Sequence, residues 1–119
     1  MSTLAPHITR QRLLIEGFFD KTLDADNITE YLKSVAAHLD LRTYGEPTIY
    51  SPEGMGKGEN QGFDAFIPLI DSGISLYAWT SEKFMSVVFY TCKSFSEQQA
   101  IAFTKDFFNI GPEFETISF

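Results

Sequence analysis

The stretch that decides the fold lies in the second half of the chain, where residues 63–91 run FDAFIPLIDSGISLYAWTSEKFMSVVFYT. Apolar and polar side chains alternate over 74–79, which is typical of a strand with one buried side. Residues 84–91 are β-branched and aromatic, and they favour another strand. Residues 71–73, Asp-Ser-Gly, have the composition of a tight turn. The stretch therefore predicts three neighbouring antiparallel strands, the first of them at 63–70.

One helix is predicted before this meander in the sequence and another after it. Apolar residues recur at helical spacing over 27–40, and Asp24 or Asp26 can cap that helix. A capping box at 96–99 begins a second helix over 97–109, for which we expect one face formed by Ala100, Phe103 and Phe107. The remaining strands are expected at 13–19, 48–51 and 114–119. The order β-α-β-β-β-β-α-β predicts an α+β fold, a two-layer sandwich with an antiparallel sheet and both helices on one face. We expect one domain spanning 1–119.

The face of the sheet away from the helices is expected to be aromatic, because Tyr77 and Trp79 point that way. Such a face is a candidate dimer or ligand surface. Pro68 indicates a bulge or an edge in its strand. The glycine-rich segment 52–62 is expected to be a mobile loop, since it lacks the strand-loop-helix context of a phosphate-binding motif.

The composition and charge of the chain disfavour several classes of partner and of metal site. The net charge is −7 and the pI is about 4.6, which disfavours nucleic acids and anionic membranes. The single cysteine, Cys92, excludes an internal disulfide and a cysteine-rich metal site. His7 and His38 are far apart in the sequence, so no metal site is expected. The N-terminus lacks the apolar core of a signal peptide and no apolar run is long enough for a bilayer, which predicts a cytoplasmic protein.

The segment 71–79, Asp-Ser-Gly-Ile-Ser-Leu-Tyr-Ala-Trp, is followed at 89–92 by Phe-Tyr-Thr-Cys. It resembles the centre of the bacterial S-adenosylmethionine decarboxylases. Those enzymes carry Glu-Ser-His-(apolar)-(Ser/Thr)-Ile-His-Thr-Trp and then Phe-Thr-Cys-Gly. The interval of 13 positions from Trp79 to Cys92 is that of the family. Without this resemblance, Ser72 would be an ordinary turn residue and Cys92 a small buried hydrophobe.

The resemblance implies a proenzyme that cleaves itself. In the family, the serine at the position of Ser72 attacks the preceding carbonyl, here that of Asp71, and the ester formed is eliminated. The new N-terminus is a pyruvoyl cofactor, whose ketone is the electron sink for loss of CO₂. The cysteine at the position of Cys92 is the proton donor. The substrate implied is S-adenosylmethionine, for spermidine synthesis.

Several positions depart from the family pattern. Tyr77 replaces a histidine that acts as the base in self-processing, and a phenol with a reference pKa of about 10 is a poor base at neutral pH. Asp64 replaces a second processing residue, a serine, and its carboxylate is a candidate base. Asp71 replaces a glutamate, which is a mild change, and Gly73 replaces a histidine.

Three residues are candidate substrate contacts. Glu16, in Ile-Glu-Gly, resembles the Phe-Glu-Gly of eukaryotic members, although it could equally lie on the solvent side of its strand. Glu82 lies one position beyond the family glutamate that holds the ribose hydroxyls. Tyr50 is placed near the glycine-rich loop, where it could stack on a ring.

The leading hypothesis is a pyruvoyl-dependent decarboxylase of S-adenosylmethionine that forms a homodimer. A second hypothesis is a decarboxylase of another amino acid, since the region around Ser81 and the acidic charge leave room for a basic substrate. A third is a non-processed homologue that serves as a binding or regulatory subunit. The replacement of the family histidine by Tyr77 and of the family serine by Asp64 favours the third hypothesis. The retained Ser72 and Cys92 oppose it.

Overall fold

The computed structural model describes residues 4–51 and 61–119, and within them two helices and six strands follow the predicted order. The helices are α1, Ala25–His38, and α2, Glu97–Phe108. The strands are β1, Gln11–Phe18; β2, Thr48–Tyr50; β3, Gly62–Leu69; β4, Ser72–Trp79; β5, Phe84–Thr91; and β6, Phe114–Ser118. Most of the glycine-rich loop, at 52–60, lies outside the described residues.

The strands form one antiparallel sheet in the order β2-β3-β4-β5-β1-β6. The meander β3-β4-β5 is the predicted one. The N-terminal strand β1 is inserted between β5 and β6, so that strands from the two ends of the chain are hydrogen-bonded neighbours.

The core lies between one face of this sheet and the two helices. The alternation along β4 is confirmed, because Ile74, Leu76 and Ala78 are buried while Tyr77 is exposed. Both helices bury apolar side chains in the same core, and the predicted two-layer α+β fold is therefore confirmed. We call the opposite side of the sheet the open face. No helix among residues 4–51 and 61–119 is long and apolar enough to cross a bilayer.

Side-chain caps begin both helices. Asp24 accepts a hydrogen bond from the backbone N–H of Asn27, whose side chain bonds back to the N–H of Asp24. Ser96 accepts the N–H of Gln99 at the start of α2. Each cap satisfies donors that a helix leaves unpaired in its first turn. The predicted caps at Asp24 and Ser96 are thus confirmed.

Phe103 and Phe107, predicted to share a face of α2 with Ala100, pack against the core but are not its most deeply buried residues. Ala100 is buried as expected, but the residues that continue the buried stripe are Thr104 and Phe108. Phe103 and Phe107 are only partly buried. Their rings lie 6.2 and 5.3 Å from the ring of Tyr31 on α1, so they fill the groove between the helices instead of facing the sheet. Apolar periodicity could not identify the more deeply buried stripe, because that stripe contains the polar Thr104.

Tyr31 and Thr104 form a buried polar contact between the helices. Their hydroxyl oxygens are 2.7 Å apart, and neither residue is exposed. Burial raises the pKa of Tyr31 far above its ordinary value, and the hydrogen bond with Thr104 lowers it by less. The phenol therefore stays protonated at neutral pH, and it depends on Thr104 as its hydrogen-bond partner.

We expect Thr104→Val to lower the free energy of unfolding by about 1–3 kcal/mol, because it leaves a buried phenol hydroxyl without a partner. Adding Tyr31→Phe should restore most of that loss, since removing both polar groups is nearly neutral. Urea denaturation of the two variants and the unchanged chain measures both effects. A double variant that is less stable than Thr104→Val alone would contradict this account of the pair.

The hairpin between β3 and β4 is one residue tighter than predicted. Leu69 pairs with Ser72 and Pro68 with Gly73, so only Ile70 and Asp71 form the turn and Ser72 already belongs to the strand. Pro68 causes no bulge in this register. Pro68 is not at an open edge either. The N–H of Tyr44 donates to the carbonyl of Pro68 at 3.1 Å, and Thr43 forms an antiparallel bridge with Leu69. Both alternatives predicted for Pro68 are therefore wrong.

Candidate functional site

Ser72 and Cys92 lie side by side at one end of the sheet. Ser72 begins β4 and Cys92 follows the last residue of β5, and the antiparallel pairing of these strands brings the two positions together. The backbone N–H of Cys92 donates a hydrogen bond to Ser72 Oγ at 2.8 Å. Both side chains are half-buried. The structure thus brings together two residues that are 20 positions apart in the sequence.

The thiol of Cys92 contacts the carbonyl that precedes Ser72. Cys92 Sγ lies 3.2 Å from the carbonyl oxygen of Asp71, within the range of an S–H···O hydrogen bond. The sulfur is therefore directed at the peptide bond between Asp71 and Ser72 and is not packed in the helix-side core. This contact does not fit the interpretation of Cys92 as a small buried hydrophobe.

Asp71 adopts a backbone conformation that few side chains favour. Its φ is 60°, in the left-handed region. Aspartate tolerates this region better than most residues, but a non-glycine residue there still stores about 1–2 kcal/mol. The strain therefore lies immediately before the Asp71–Ser72 bond.

A pocket of about 250 Å³ opens at this site. It is lined by the β3-β4 hairpin, the end of β5, and the segment after α1, which contributes Leu41 and Arg42. Lys93 also lines it, and its Nζ donates to the backbone oxygen of Asp40 at 2.7 Å and to its carboxylate at 3.1 Å. The pocket is smaller than the roughly 300–1,000 Å³ usual for ligand sites. A single chain therefore offers a shallow site.

Asp64 and Tyr77, the other two predicted processing residues, lie elsewhere in the chain. They are direct cross-strand neighbours on the open face, and Tyr50 lies opposite Asp64 on β2. All three line a second pocket of about 320 Å³. Tyr77 lies five residues along β4 from Ser72, or roughly 16 Å at the usual rise of a strand. Within one chain, therefore, Asp64 and Tyr77 cannot contact Ser72.

The two predicted glutamates are also separated from Ser72. Glu16 lies on the open face, half-buried, and accepts a hydrogen bond from Ser86 Oγ at 2.6 Å. Register places it in the same cross-strand row as Asp64 and Tyr77. Glu82 is exposed in the turn between β4 and β5, at the opposite end of the sheet from Ser72.

Gly73, at the position of a family histidine, packs directly against the ring of Phe66. A Cβ atom built there would lie 2.3 Å from the ring of Phe66. The phenyl ring on β3 thus occupies the space next to Ser72 on the open face. A histidine at this position would require Phe66 to move.

The segment around Cys92 is held by residues that were not predicted from the sequence. Gln11, at the start of β1, makes two hydrogen bonds with the backbone of Phe95. The hydroxyl of the buried Thr91 donates to the carbonyl of Lys93 at 2.8 Å. A glutamine at a strand end has no distinctive pattern, so only the pairing of β1 with β5 reveals its position.

The chain is similar to known proteins in both sequence and fold. Residues 15–115 match the sequence profile of the family described as S-adenosylmethionine decarboxylase. The chain belongs to the S-adenosylmethionine decarboxylase family. Among solved structures, the adenosylmethionine decarboxylase of Aquifex aeolicus VF5 aligns with a TM-score of 0.70 and 18% identity, over 94% of this chain and 89% of that one. A search of curated proteins found no match.

Family and fold support an S-adenosylmethionine decarboxylase-like function. The S-adenosylmethionine decarboxylase family is in general pyruvoyl-dependent. The site fits such a group, because a serine begins a strand next to a strained aspartate and a thiol contacts the carbonyl between them. At 18% identity to the solved structure, the likeness to that structure concerns the fold.

Proposed function

We propose that this chain is the proenzyme of a pyruvoyl-dependent decarboxylase and that it cleaves itself between Asp71 and Ser72. The observation that carries the proposal is the pair of contacts made by Cys92, whose N–H donates to Ser72 Oγ and whose Sγ lies against the Asp71 carbonyl. Both groups that must react in the cleavage are therefore contacted by one residue.

Cleavage begins when Ser72 Oγ attacks the carbonyl carbon of Asp71. The thiol of Cys92 donates a hydrogen bond to the carbonyl oxygen, which polarises it and stabilises the negative charge that develops there. The C–N bond then breaks and an ester links Asp71 to the serine side chain. Elimination releases Asp71 as a carboxylate, and hydrolysis of the resulting enamine, through its imine tautomer, gives the pyruvoyl end. The balance is one water consumed and one ammonia released.

The strain at Asp71 supports this direction of reaction. Cutting the chain after a left-handed residue frees its ψ angle and lets the turn relax, so the about 1–2 kcal/mol stored there favours cleavage. The N–H of Cys92 also stabilises the serine oxygen as its proton leaves.

The pyruvoyl group would supply the electron sink for loss of CO₂ from an amino acid substrate. Position 72 would hold it at the mouth of the 250 Å³ pocket. Cys92 Sγ lies next to that position and is placed to return a proton to the product carbon. S-adenosylmethionine is the proposed substrate and spermidine synthesis the proposed role. A different amino acid remains an alternative, because Glu82 is far from Ser72 within the chain.

We propose further that two copies associate so that the open face of each lies against the Ser72 end of the other. Asp64 and Tyr77 are roughly 16 Å from Ser72 along the sheet. They also lie on the face opposite to the Ser72 side chain, which shares the side of Ile74 and Leu76, so they can act on a Ser72 only if it belongs to a second copy. The open face also carries exposed rings, Tyr77 at 40% and Phe66 at 43% exposure, which a partner would cover. In this arrangement Asp64 is the base for the serine proton, Tyr77 a hydrogen-bond donor, and Glu16 and Tyr50 substrate contacts.

The mass of the purified chain tests the proposal. We expect two fragments, residues 1–71 and 72–119. Their masses should sum to the intact mass plus one water minus one ammonia, whereas a contaminating protease would add a whole water. The second fragment should react with hydrazides through its ketone. A single intact chain after prolonged incubation would contradict self-cleavage.

The alternative function, a non-processed binding or regulatory subunit, is favoured by one observation. Within one chain, no described side chain capable of acting as a base hydrogen-bonds to Ser72 Oγ, whose partner is a backbone N–H. A chain that stays whole and still binds S-adenosylmethionine, measured by calorimetry, would support this alternative.

A further inference from the structure

The segment 92–96 between β5 and α2 carries the thiol of the site, yet it belongs to neither element. Three side chains hold this segment in place. Two of them belong to residues outside the segment, and the third belongs to a residue within it. Thr91 bonds to the carbonyl of Lys93, Lys93 bonds to Asp40, and Gln11 bonds to Phe95. Because the Cys92 contact with Asp71 is a weak S–H···O bond at 3.2 Å, it depends on where this segment lies.

The contacts of Gln11 are the most specific of the three. Its Nε2 donates to the carbonyl of Phe95 at 2.9 Å, and its Oε1 accepts the N–H of Phe95 at 3.0 Å. The side-chain amide thereby continues the pairing of β1 with β5 beyond Thr91, the partner of Gln11 in the sheet. The Lys93–Asp40 pair is exposed, and such pairs contribute little.

We propose that Gln11 is a positioning residue for Cys92. It fixes Phe95, whose ring packs 5.7 Å from that of the buried Phe89, and so fixes the far end of the segment. With both ends held, the Cys92 N–H and Sγ are directed at Ser72 and Asp71. A displacement of about 1 Å in such a site can cost about 100-fold in rate.

Gln11→Glu is the sharpest test, since it keeps the size and shape of the side chain. The carboxylate still accepts from the N–H of Phe95, but it has no donor for the Phe95 carbonyl and repels it. Gln11→Ala removes both bonds. Gln98→Ala is the matched control, because Gln98 is an exposed glutamine on α2.

The S–H stretching band in the infrared spectrum reports the Cys92 contact directly. The chain has one cysteine, so the band is unique, and it moves to lower frequency when the thiol donates a hydrogen bond. The band is to be measured in chains that also carry Ser72→Ala, because these chains are not cleaved after Asp71. The inference rests on the proposed function only where cleavage is the readout, and this band is independent of cleavage.

We expect both Gln11 variants to move the S–H band to higher frequency, and to slow cleavage of the Ser72 chain by about 10- to 100-fold. Gln98→Ala should change neither. An S–H band at the same frequency in Gln11→Glu and the Ser72→Ala parent would overturn the inference. A shifted band in a chain that never cleaves would support the role of Gln11 and overturn the proposed function. If Gln11→Ala fails to fold, the isosteric Gln11→Glu decides.

Discussion

Replacing Ser72 by alanine is expected to leave the chain in one piece, under conditions in which the unchanged chain divides after Asp71. The hydroxyl is the nucleophile, and its only hydrogen bond among the described residues comes from the N–H of Cys92. Alanine keeps the β4 backbone and removes only this oxygen. The next residue of the strand cannot replace it, because Gly73 has no side chain. Time courses of denaturing gels and intact mass measure the result.

Ser75→Ala is the matched control for this prediction. Ser75 is a half-buried serine in the same strand, on the open face, three residues away. It should cleave at the rate of the unchanged chain. Ser72→Thr keeps a hydroxyl but adds a methyl group, and it should cleave slowly. Continued division of the Ser72→Ala chain at the same bond would show that another agent cuts it, and self-cleavage would have to be abandoned.

Complementation between two defective chains is the second large effect that we expect. A homodimer of Asp64→Asn should cleave about 10²–10⁴-fold more slowly, since it lacks the general base. Co-assembly with Ser72→Ala should restore cleavage of the Asp64→Asn chain. In the mixed dimer, the Ser72 of the Asp64→Asn subunit meets the Asp64 of its partner, and one intact site results.

Tags of different size on the two chains identify which one divides. Cleavage should be confined to the Asp64→Asn chain. The Ser72→Ala chain should stay intact, because its site lacks both the serine hydroxyl and the Asp64 carboxylate. If Asp64 acted on the Ser72 of its own chain, mixing would restore nothing. Asp106→Asn, an exposed aspartate on α2, serves as the control for loss of one charge. Normal cleavage in the Asp64→Asn homodimer would remove Asp64 from the mechanism.

The sequence was sufficient for the element order and for the meander at the centre of the sheet, because alternation along β4 and the turn residues leave few other pairings. The resemblance to the family, and not the spacing alone, implied that Ser72 and Cys92 share a site. The position of β1 between β5 and β6 was not accessible, since nothing in the sequence of β1 specifies its neighbours. For this reason Gln11 escaped notice, although it bonds to Phe95, 84 positions away.

The separation of Asp64 and Tyr77 from Ser72 follows from the register of β3 and β4, which fixes each residue to one face. The alignment with the family placed these residues in a shared mechanism without stating which subunit supplies them. The deepest burial on α2 was also not accessible from the sequence. It includes the polar Thr104, whose hydroxyl is paired with that of Tyr31 on α1.

The insertion of β1 between β5 and β6 sets the moment in synthesis at which the chain can mature. Gln11 is translated 84 positions before its partner Phe95. Pairings of such long sequence separation form late. A nascent or truncated chain would therefore hold Ser72 and Asp71 in their hairpin without a settled thiol. Only a polypeptide whose synthesis has passed Phe95 would acquire the competence to divide.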